Sequence, residues 1–473
     1  MGLRKARGSP HLTQTSKQRA AVILAAGKGT RMKSPLPKVM HAVAGRPMVD
    51  WSIALARKVG AGKIVAVVHR SQDVLIAHLG KHHPDIAIAY QDPPQGTGHA
   101  VRCAEGALAG FEGDLAVLYG DSPLVPAETI EALFATLSGN TGLGVLGFEA
   151  EEPGLYGRLI TGADGALEAI VEAREATPEQ LAVRLCNSGV MAGRAGDMFR
   201  LLAKVTNNNA KGEYYLTDLV GLARAEGIGC AVAVSGEDDL IGCDSKADLA
   251  EAEAIFQGRR RRALMDAGVT MVAPETVFLS HDTEIGADAV IEPNVVFGPG
   301  VKVAGGAQIR AFSHLEGAIV GEGCSVGPYA RLRPGTVLGR GVHIGNFVET
   351  KNTAMGEGAK ANHLAYLGDG TIGAGANIGA GTIFCNYDGY LKHQTDVGEG
   401  AFVGSNSALV APVRIGDGAY VGSGSVITKD VPDDALAVGR CQQVTREGWA
   451  KNYRAKKAAE KAARTTGKDK QNG

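Results

Sequence analysis

Three sets of residues in this chain have the types and spacing that chemistry needs. The first is Leu24-Ala25-Ala26-Gly27-Lys28-Gly29-Thr30-Arg31-Met32, followed by Pro37-Lys38. Gly27 and Gly29 let backbone N–H groups approach a phosphate, and Arg31 can add a bidentate cation. The spacing fails the Walker A template, and Met32 stands where a dinucleotide-binding loop needs its third glycine. A different Gly-rich anion loop, or a plain turn with a solvated arginine, remains. The second set centres on Asp121, in Tyr119-Gly120-Asp121-Ser122-Pro123, just after the apolar run Leu115–Tyr119. Open α/β sheets place ligands at the carboxyl ends of strands, and a hard carboxylate oxygen suits Mg²⁺. Taken alone, such an aspartate serves equally as a turn cap.

The third set lies far downstream. Arg333 and Lys351 are eighteen residues apart, each directly after a core position, Leu332 and Thr350. Stacked like charges destabilise a bare surface, so this column points to a bound phosphate. Ser405 and Ser423 repeat the spacing of eighteen, and Asn386 precedes Ser405 by nineteen, which predicts a second polar column. His363 falls two places after a core position and faces outward; an imidazole there suits a general base. A zinc site is disfavoured, because His343, His363 and His393 contain no close pair.

These residues need elements to hold them. Glycine supplies 66 of the 473 residues, about twice its usual share. Aliphatic positions then repeat every six residues: Ile285, Ile291, Phe297, Val303, Ile309 and Leu315; Val320, Val326, Leu332, Leu338 and Ile344; and Val397, Val403, Leu409, Ile415, Val421 and Ile427. Six is a multiple of the strand period and not of the helical one, so each hexad is a short strand ending at a corner, and the whole is a hexapeptide parallel β-helix of about eight coils. Before it, the short apolar runs Ala20–Ala25, Lys63–His69 and Leu115–Tyr119 alternate with helical stretches Val49–Val59 and Ala127–Leu137, the pattern of a parallel sheet flanked by helices. Lys246–Asp266 predicts a connecting helix, Trp449–Arg464 a basic helix, and Thr465–Gly473 a disordered tail. The expected divisions are 1–19 (a flexible extension), 20–245, 246–267, 268–440 and 441–473.

Composition removes other classes. A formal charge of −1 gives no footprint for nucleic acid, and no apolar stretch approaches the length of a membrane span. The basic N-terminus has no apolar segment of a signal peptide, and seven cysteines without a C-x-x-C pair suit a reducing cytoplasm.

The first string, extended by Gln91, Gln95-Gly96-Thr97-Gly98 and the Asp121 segment, resembles the sugar-nucleotide pyrophosphorylases. The resemblance implies a Rossmann-like nucleotidyltransferase domain acting on UTP with Mg²⁺. Leu24 and Ala25 would contact the UTP or UDP-sugar, Gly27, Gly29 and Arg31 the triphosphate, Lys38 the transferred or incoming phosphate, Gln91, Gly96 and Thr97 the uracil, and Tyr119 and Asp121 the strand-end site with its metal. Gly157, Glu172 and Asn187 would hold a hexosamine. The family usually carries a second metal ligand, an asparagine, where this chain reads Gly242-Cys243-Asp244. Asp244 keeps the oxygen and adds a charge, with a helix N-cap as the alternative.

The downstream segments, among them Gly345–Lys351, Ala361–Asp369, Asn377–Thr382 and Cys385–Gly389, are similar to those of bacterial bifunctional transferases that join this domain to a hexapeptide-repeat acetyltransferase. That family implies a left-handed β-helix, a homotrimer, and synthesis of UDP-N-acetylglucosamine by acetylation first and uridylylation second. His363 would be the base, assisted by Glu349. Arg333, Lys351, Tyr366, Asn377 and Lys392 would contact glucosamine 1-phosphate; Ala380, Asn386, Tyr387, Ser405, Ser423 and Arg440 would contact acetyl-CoA. The competing readings are a pyrophosphorylase whose β-helix is purely structural and a non-catalytic nucleotide sensor; Arg31, Lys38 and Asp121 all being present argues against the second.

Overall fold

The structure, a computed structural model, describes residues 18–209 and 211–468. The expected extension at residues 1–17 and the end of the expected tail, residues 469–473, lie outside the described residues. The chain divides into two compact units that adjoin at Lys302 and Val303.

In the first unit the apolar runs become strands Arg19–Leu24, Ala61–Val68 and Asp114–Tyr119, and the helical stretches become Met48–Lys58 and Ala127–Ala135. The sheet order is Gly229–Ser235, Thr141–Glu149, Leu185–Arg194, Asp114–Tyr119, Arg19–Leu24, Ala61–Val68 and Ala87–Tyr90. All neighbours are parallel except at Leu185–Arg194, which runs antiparallel to both of its own. The sheet is therefore mixed rather than fully parallel. A register shift between Asn187 and Met191 breaks this strand's alternation, which hid it from a sequence period. Apolar clusters cover both faces; Ile23, Ile53 and Leu118 lie on one and Val22, Val65 and Val117 on the other.

The connecting helix spans Lys246–Asp266 as its composition required. Ser245 caps it, accepting from the Asp248 N–H while the Asp248 carboxylate accepts from the Ser245 N–H. The cap is thus Ser245, and Asp244 is released from that alternative. Buried Gln257 then donates to the Leu279 carbonyl and accepts from its N–H, at 2.6 and 2.9 Å, tying the helix to the first β-coils, where Thr270–Met271 pairs with Val290–Ile291.

In the second unit strands of two to four residues stack in parallel, coil upon coil: Gln308–Ile309, Ser325–Val326, His343–Asn346, Lys360–His363, Asn377–Ile378, Phe402–Val403, Tyr420–Val421 and Leu436–Ala437 follow one face. Every hexad position named above is buried, from Ile285 to Ile427. Two strands, Glu349–Met355 and Tyr366–Ile372, are far longer and run through the corner between faces. The C-terminal helix covers Trp449–Lys468, so it continues four residues beyond the expected end at Arg464, through part of the stretch expected to be disordered.

Candidate active sites

In the first unit, strand Arg19–Leu24 delivers the Gly-rich loop. The Gly120 N–H donates to the Leu24 carbonyl and the Ala25 N–H to Val67, which fixes the loop's start against both neighbouring strands. Gly29 has a left-handed φ of 59°, and a Cβ there would stand 2.6 Å from the Lys38 Cβ, so only glycine lets the loop fold back on Lys38. Gly27 has open space where its Cβ would be.

Lys38 is the hub. Its ammonium donates to Asp121 and, at 2.9 Å, to Asp244, while Arg31 pairs with the other Asp244 oxygen at 2.8 Å. Burial by itself would lower the lysine's pKa; the two carboxylates outweigh it and hold the pKa above the ordinary value. The Cys243 N–H donates to the Asp121 carbonyl at 2.9 Å, which explains how residues so distant in sequence meet. Burial, reinforced by Asp121, pushes the Cys243 thiol up to about 12, so it stays protonated.

Around this hub stand the other expected residues. Gln91 is buried, with its amide donating to the Gly96 carbonyl. Gly96 has φ 101° and touches Tyr214, whose N–H donates to Gln95 while its carbonyl accepts from Gly98; the Thr97 hydroxyl accepts from the Leu216 N–H. The Gly157 carbonyl accepts from Asn187, and the Asn187 side chain accepts from the Gly189 N–H. Gly189 in turn lies against the Tyr119 ring. Burial, then the Asp121 and Glu172 charges, raise the Tyr119 pKa and keep its phenol protonated, which places Glu172 in the same neighbourhood.

In the second unit the long corner strands carry the cationic column. Leu332 pairs with Thr350 and the Arg333 N–H donates to the Thr350 carbonyl, so Arg333 and Lys351 sit on successive coils as expected. Each has an anion that spacing did not reveal: Arg333 donates to Glu349 at 2.9 Å, and Lys351 lies 3.7 Å from Asp369. Contact with Lys392, aided by Asp369, keeps Lys351 above the ordinary lysine range, while Lys351 pushes Lys392 below it. Burial would raise the Asp369 pKa, but donors Asn352 and Asn386 and the two lysines hold it below the usual carboxylate range.

His363 is exposed, and its Nδ1 lies 2.7 Å from Asn346 Oδ1 on the preceding coil. An amide oxygen only accepts, so Nδ1 carries a proton, and in the neutral ring the lone pair is then on Nε2. Glu349 is taken up by Arg333 and, at 3.8 Å, Arg331. Sequence reasoning missed Asn346, Asn352 and Asp369 as site residues; Asn346 and Asp369 stand seventeen residues, one coil, from His363 and Asn386, which it did find, and Asn352 stands seventeen from Asp369.

The second polar column differs from expectation. Asn406 donates to the Ala380 carbonyl and Gly424 to Ser405, so Ala380, Ser405 and Ser423 line successive coils, with Arg440 beside Gly424. Asn386 is not in that column. It follows strand Ile383–Cys385, which pairs with Ala408–Val410, and donates to Asp369 at 2.6 Å and Tyr366 at 3.4 Å. The reason is a loop after Asn386, closed by a Tyr387–Lys392 bridge, that lengthens this coil. Tyr387 and Lys392 therefore flank the base of the loop, and Asn377 pairs with Phe402 on the neighbouring face.

Two separate polar centres, a carboxylate pair under a phosphate-type loop and an oriented imidazole near a cationic column, call for two chemistries in one chain. They define a nucleotidyltransferase joined to a hexapeptide-repeat transferase. Residues 21–183 match the model of the MobA-like NTP transferase domain, 273–355 that of the GMPPB C-terminal domain, and 395–429 that of the bacterial transferase hexapeptide. Bifunctional protein GlmU of Hyphomonas neptunium is 91% identical over 459 residues, 97% of this chain and 100% of that protein. Those of Sphingopyxis alaskensis and Caulobacter vibrioides are 56% and 55% identical over 93% and 94% of this chain and 98% and 96% of their own. The chain belongs to the GlmU family of bifunctional transferases. It makes UDP-N-acetylglucosamine through an acetyltransferase and a uridyltransferase activity, and the reading of a purely structural β-helix falls away.

Proposed function

We propose that the two centres divide the work as follows. In the second unit the amine nitrogen of glucosamine 1-phosphate attacks the thioester carbonyl carbon of acetyl-CoA; the C–N bond forms, the C–S bond breaks, and coenzyme A leaves as a thiolate. His363 Nε2 takes the amine proton and returns it to the thiolate, while Asn346 holds the ring in the tautomer that permits this. Arg333, Lys351 and Lys392 bind the sugar phosphate, with Tyr366 and Asn377 on the sugar. Glu349 serves by fixing Arg333 rather than by assisting His363. Ala380, Tyr387, Ser405, Ser423 and Arg440 face acetyl-CoA, and Asn386, which donates to Asp369 and Tyr366, stands between them and the sugar.

The N-acetylglucosamine 1-phosphate so formed is the substrate of the first unit. One of its phosphate oxygens displaces pyrophosphate from the α-phosphorus of UTP. The nucleophile is already an anion, so positioning and charge neutralisation suffice. Gly27, Gly29 and Arg31, after Leu24 and Ala25, hold the triphosphate; Lys38 neutralises transferred phosphate; Gln91, Gly96 and Thr97 read uracil; Gly157, Glu172 and Asn187 hold the acetylated sugar beside Tyr119. Asp121 and Asp244 fit Mg²⁺, because both offer hard oxygens and already converge on one cation, the Lys38 ammonium. When bound, Mg²⁺ neutralises triphosphate charge. The working form is a homotrimer in the cytoplasm; the hexapeptide repeat supports assembly, and no described helix is long and apolar enough to cross a membrane.

The observation that carries the acetyl-transfer reading is the oriented His363. His363→Ala lowers kcat for acetyl transfer by about 10²–10⁴-fold, with the deficit narrowing at alkaline pH, where more bound amine is deprotonated. Unchanged kcat, or a defect confined to KM at every pH, removes His363 from the mechanism.

A further inference from the structure

Away from both centres, helix Met48–Lys58 and the C-terminal end of helix Asp73–His82 bring three ligand-type groups together. His78 Nε2 lies 2.8 Å and His83 Nε2 3.0 Å from the same oxygen, Asp50 Oδ1, and all three ligand atoms lie within 4.8 Å of one another. The side chains are 15, 9 and 12% exposed, so this is a sheltered cluster rather than a surface coincidence. We infer that Asp50, His78 and His83 form a structural binding site for a zinc-class divalent cation that clips the two helices together.

The donor set selects the metal class. Two imidazole nitrogens and one carboxylate oxygen suit Zn²⁺, Co²⁺ or Ni²⁺ and are poor for Mg²⁺, which distinguishes this site from the carboxylate pair at Asp121 and Asp244. The two nitrogen-to-oxygen separations, 2.8 and 3.0 Å, are close to the spacing between neighbouring ligands of a tetrahedral ion whose bonds are about 2 Å. The fourth position is left to a water, since His82 is not among the three converging ligands: it is exposed, with its ring tilted against that of His78 at a centroid distance of 4.7 Å.

Two cations oppose the ion and set a limit on affinity. Arg57 donates to His83 Nδ1 at 3.2 Å, and Arg46 feels the Asp50 charge. A guanidinium is only a donor, so His83 Nδ1 is an acceptor and its proton sits on Nε2; a carboxylate oxygen only accepts, so His78 also points an Nε2 proton at Asp50. Metal binding therefore displaces two protons, each moving to its ring's Nδ1 or to solvent, and Arg57 withdraws from His83 to Asp85, which it already grips with bonds of 2.7 and 2.9 Å. The site is therefore of moderate affinity, and Arg57 is the residue that restrains it.

The clip has a bearing on the catalytic strand. Ser52, two residues after Asp50, donates to the Tyr119 carbonyl at 2.8 Å, next to the strand end that carries Asp121. The test is a titration of the full-length, EDTA-stripped protein with ZnCl₂ against a chromophoric chelator, in excess Mg²⁺ to fill hard sites. Expected are one zinc per chain, and a Co²⁺-loaded form with visible d–d absorption. His78→Gln with His83→Gln weakens zinc by more than about 100-fold, above the ~10–100-fold that a change outside the ligand shell costs. Should that variant not fold, Asp50→Asn provides the same comparison with near-identical shape. Arg57→Gln tightens zinc, an effect that a plain hydrogen-bond cluster does not predict, and Asp121→Asn leaves zinc in place. Absence of saturable zinc binding, or binding indifferent to Asp50, His78 and His83, overturns the inference and leaves hydrogen bonding as the cluster's whole role.

Discussion

Lys38→Met separates what the hub does for stability from what it does for catalysis. The substitution keeps the unbranched apolar stem and removes the charged end that stands between Asp121 and Asp244. Breaking a fully buried pair costs about 3–5 kcal/mol and an exposed one about 0–1 kcal/mol. Lys38 and Asp121 are 13 and 16% exposed but Asp244 is 38% exposed, so the first unit should lose about 2 kcal/mol. For a domain of this size that lowers Tm by roughly 4–8 °C. The pH dependence has a definite sign. The raised Lys38 pKa means its stabilisation is fully present below the ordinary value of 10.5 and is lost only as pH rises through the higher folded value. Wild type thus keeps this term at neutral pH, and the variant's deficit should be full there and shrink only on the strongly alkaline side, as pH passes above 10.5 and wild type loses the Lys38 charge. Uridyl transfer should fall about 10²–10³-fold in kcat, as for other lost charge-stabilising donors, and acetyl transfer should be unaffected. Unfolding measured at neutral pH and again at strongly alkaline pH, with both activities followed at neutral pH, is the assay. A variant as stable as wild type, or a deficit equal at both pH values, refutes the bridging role.

Arg333→Ala and Lys351→Ala should each raise KM for glucosamine 1-phosphate well above any change in KM for acetyl-CoA; the reverse pattern in steady-state kinetics means the two ligand columns are interchanged. Gly96→Ala places a Cβ 2.6 Å from the Tyr214 carbonyl at φ 101°, so it should lower unfolding stability by about 2 kcal/mol and raise KM for UTP, measurable by urea denaturation and initial rates. Multi-angle light scattering should give three chains per particle, and an active monomer contradicts the trimer.

The hexad core was legible because one apolar residue every six leaves a period that nothing else produces, and each such position is buried. The Gly-rich loop and Asp121 were legible because phosphate and metal chemistry restrict residue types within a few positions. What the sequence concealed depends on contacts between distant segments. The antiparallel strand Leu185–Arg194 has an irregular register, and the Lys38 bridge to Asp244 depends on a Cys243–Asp121 backbone bond. Asn386 was assigned to the wrong column because counting back nineteen residues from Ser405 assumes a coil of nearly constant length, and the loop beginning beside it breaks that assumption. Conversely Asn346 was within reach, since it precedes His363 by one coil on the same strand position.

The central claim is that two independent centres in one chain act in succession, and a pair of single-site variants tests it most directly. Purified Asp121→Ala and His363→Ala are each supplied with glucosamine 1-phosphate, acetyl-CoA, UTP and Mg²⁺, and UDP-N-acetylglucosamine is measured. Asp121→Ala should release coenzyme A and accumulate N-acetylglucosamine 1-phosphate without product; His363→Ala should make product only when given the acetylated sugar phosphate. Mixed, the two should restore synthesis from glucosamine 1-phosphate, because the intermediate diffuses from one to the other. Loss of both activities in either variant, or no recovery on mixing, contradicts the account.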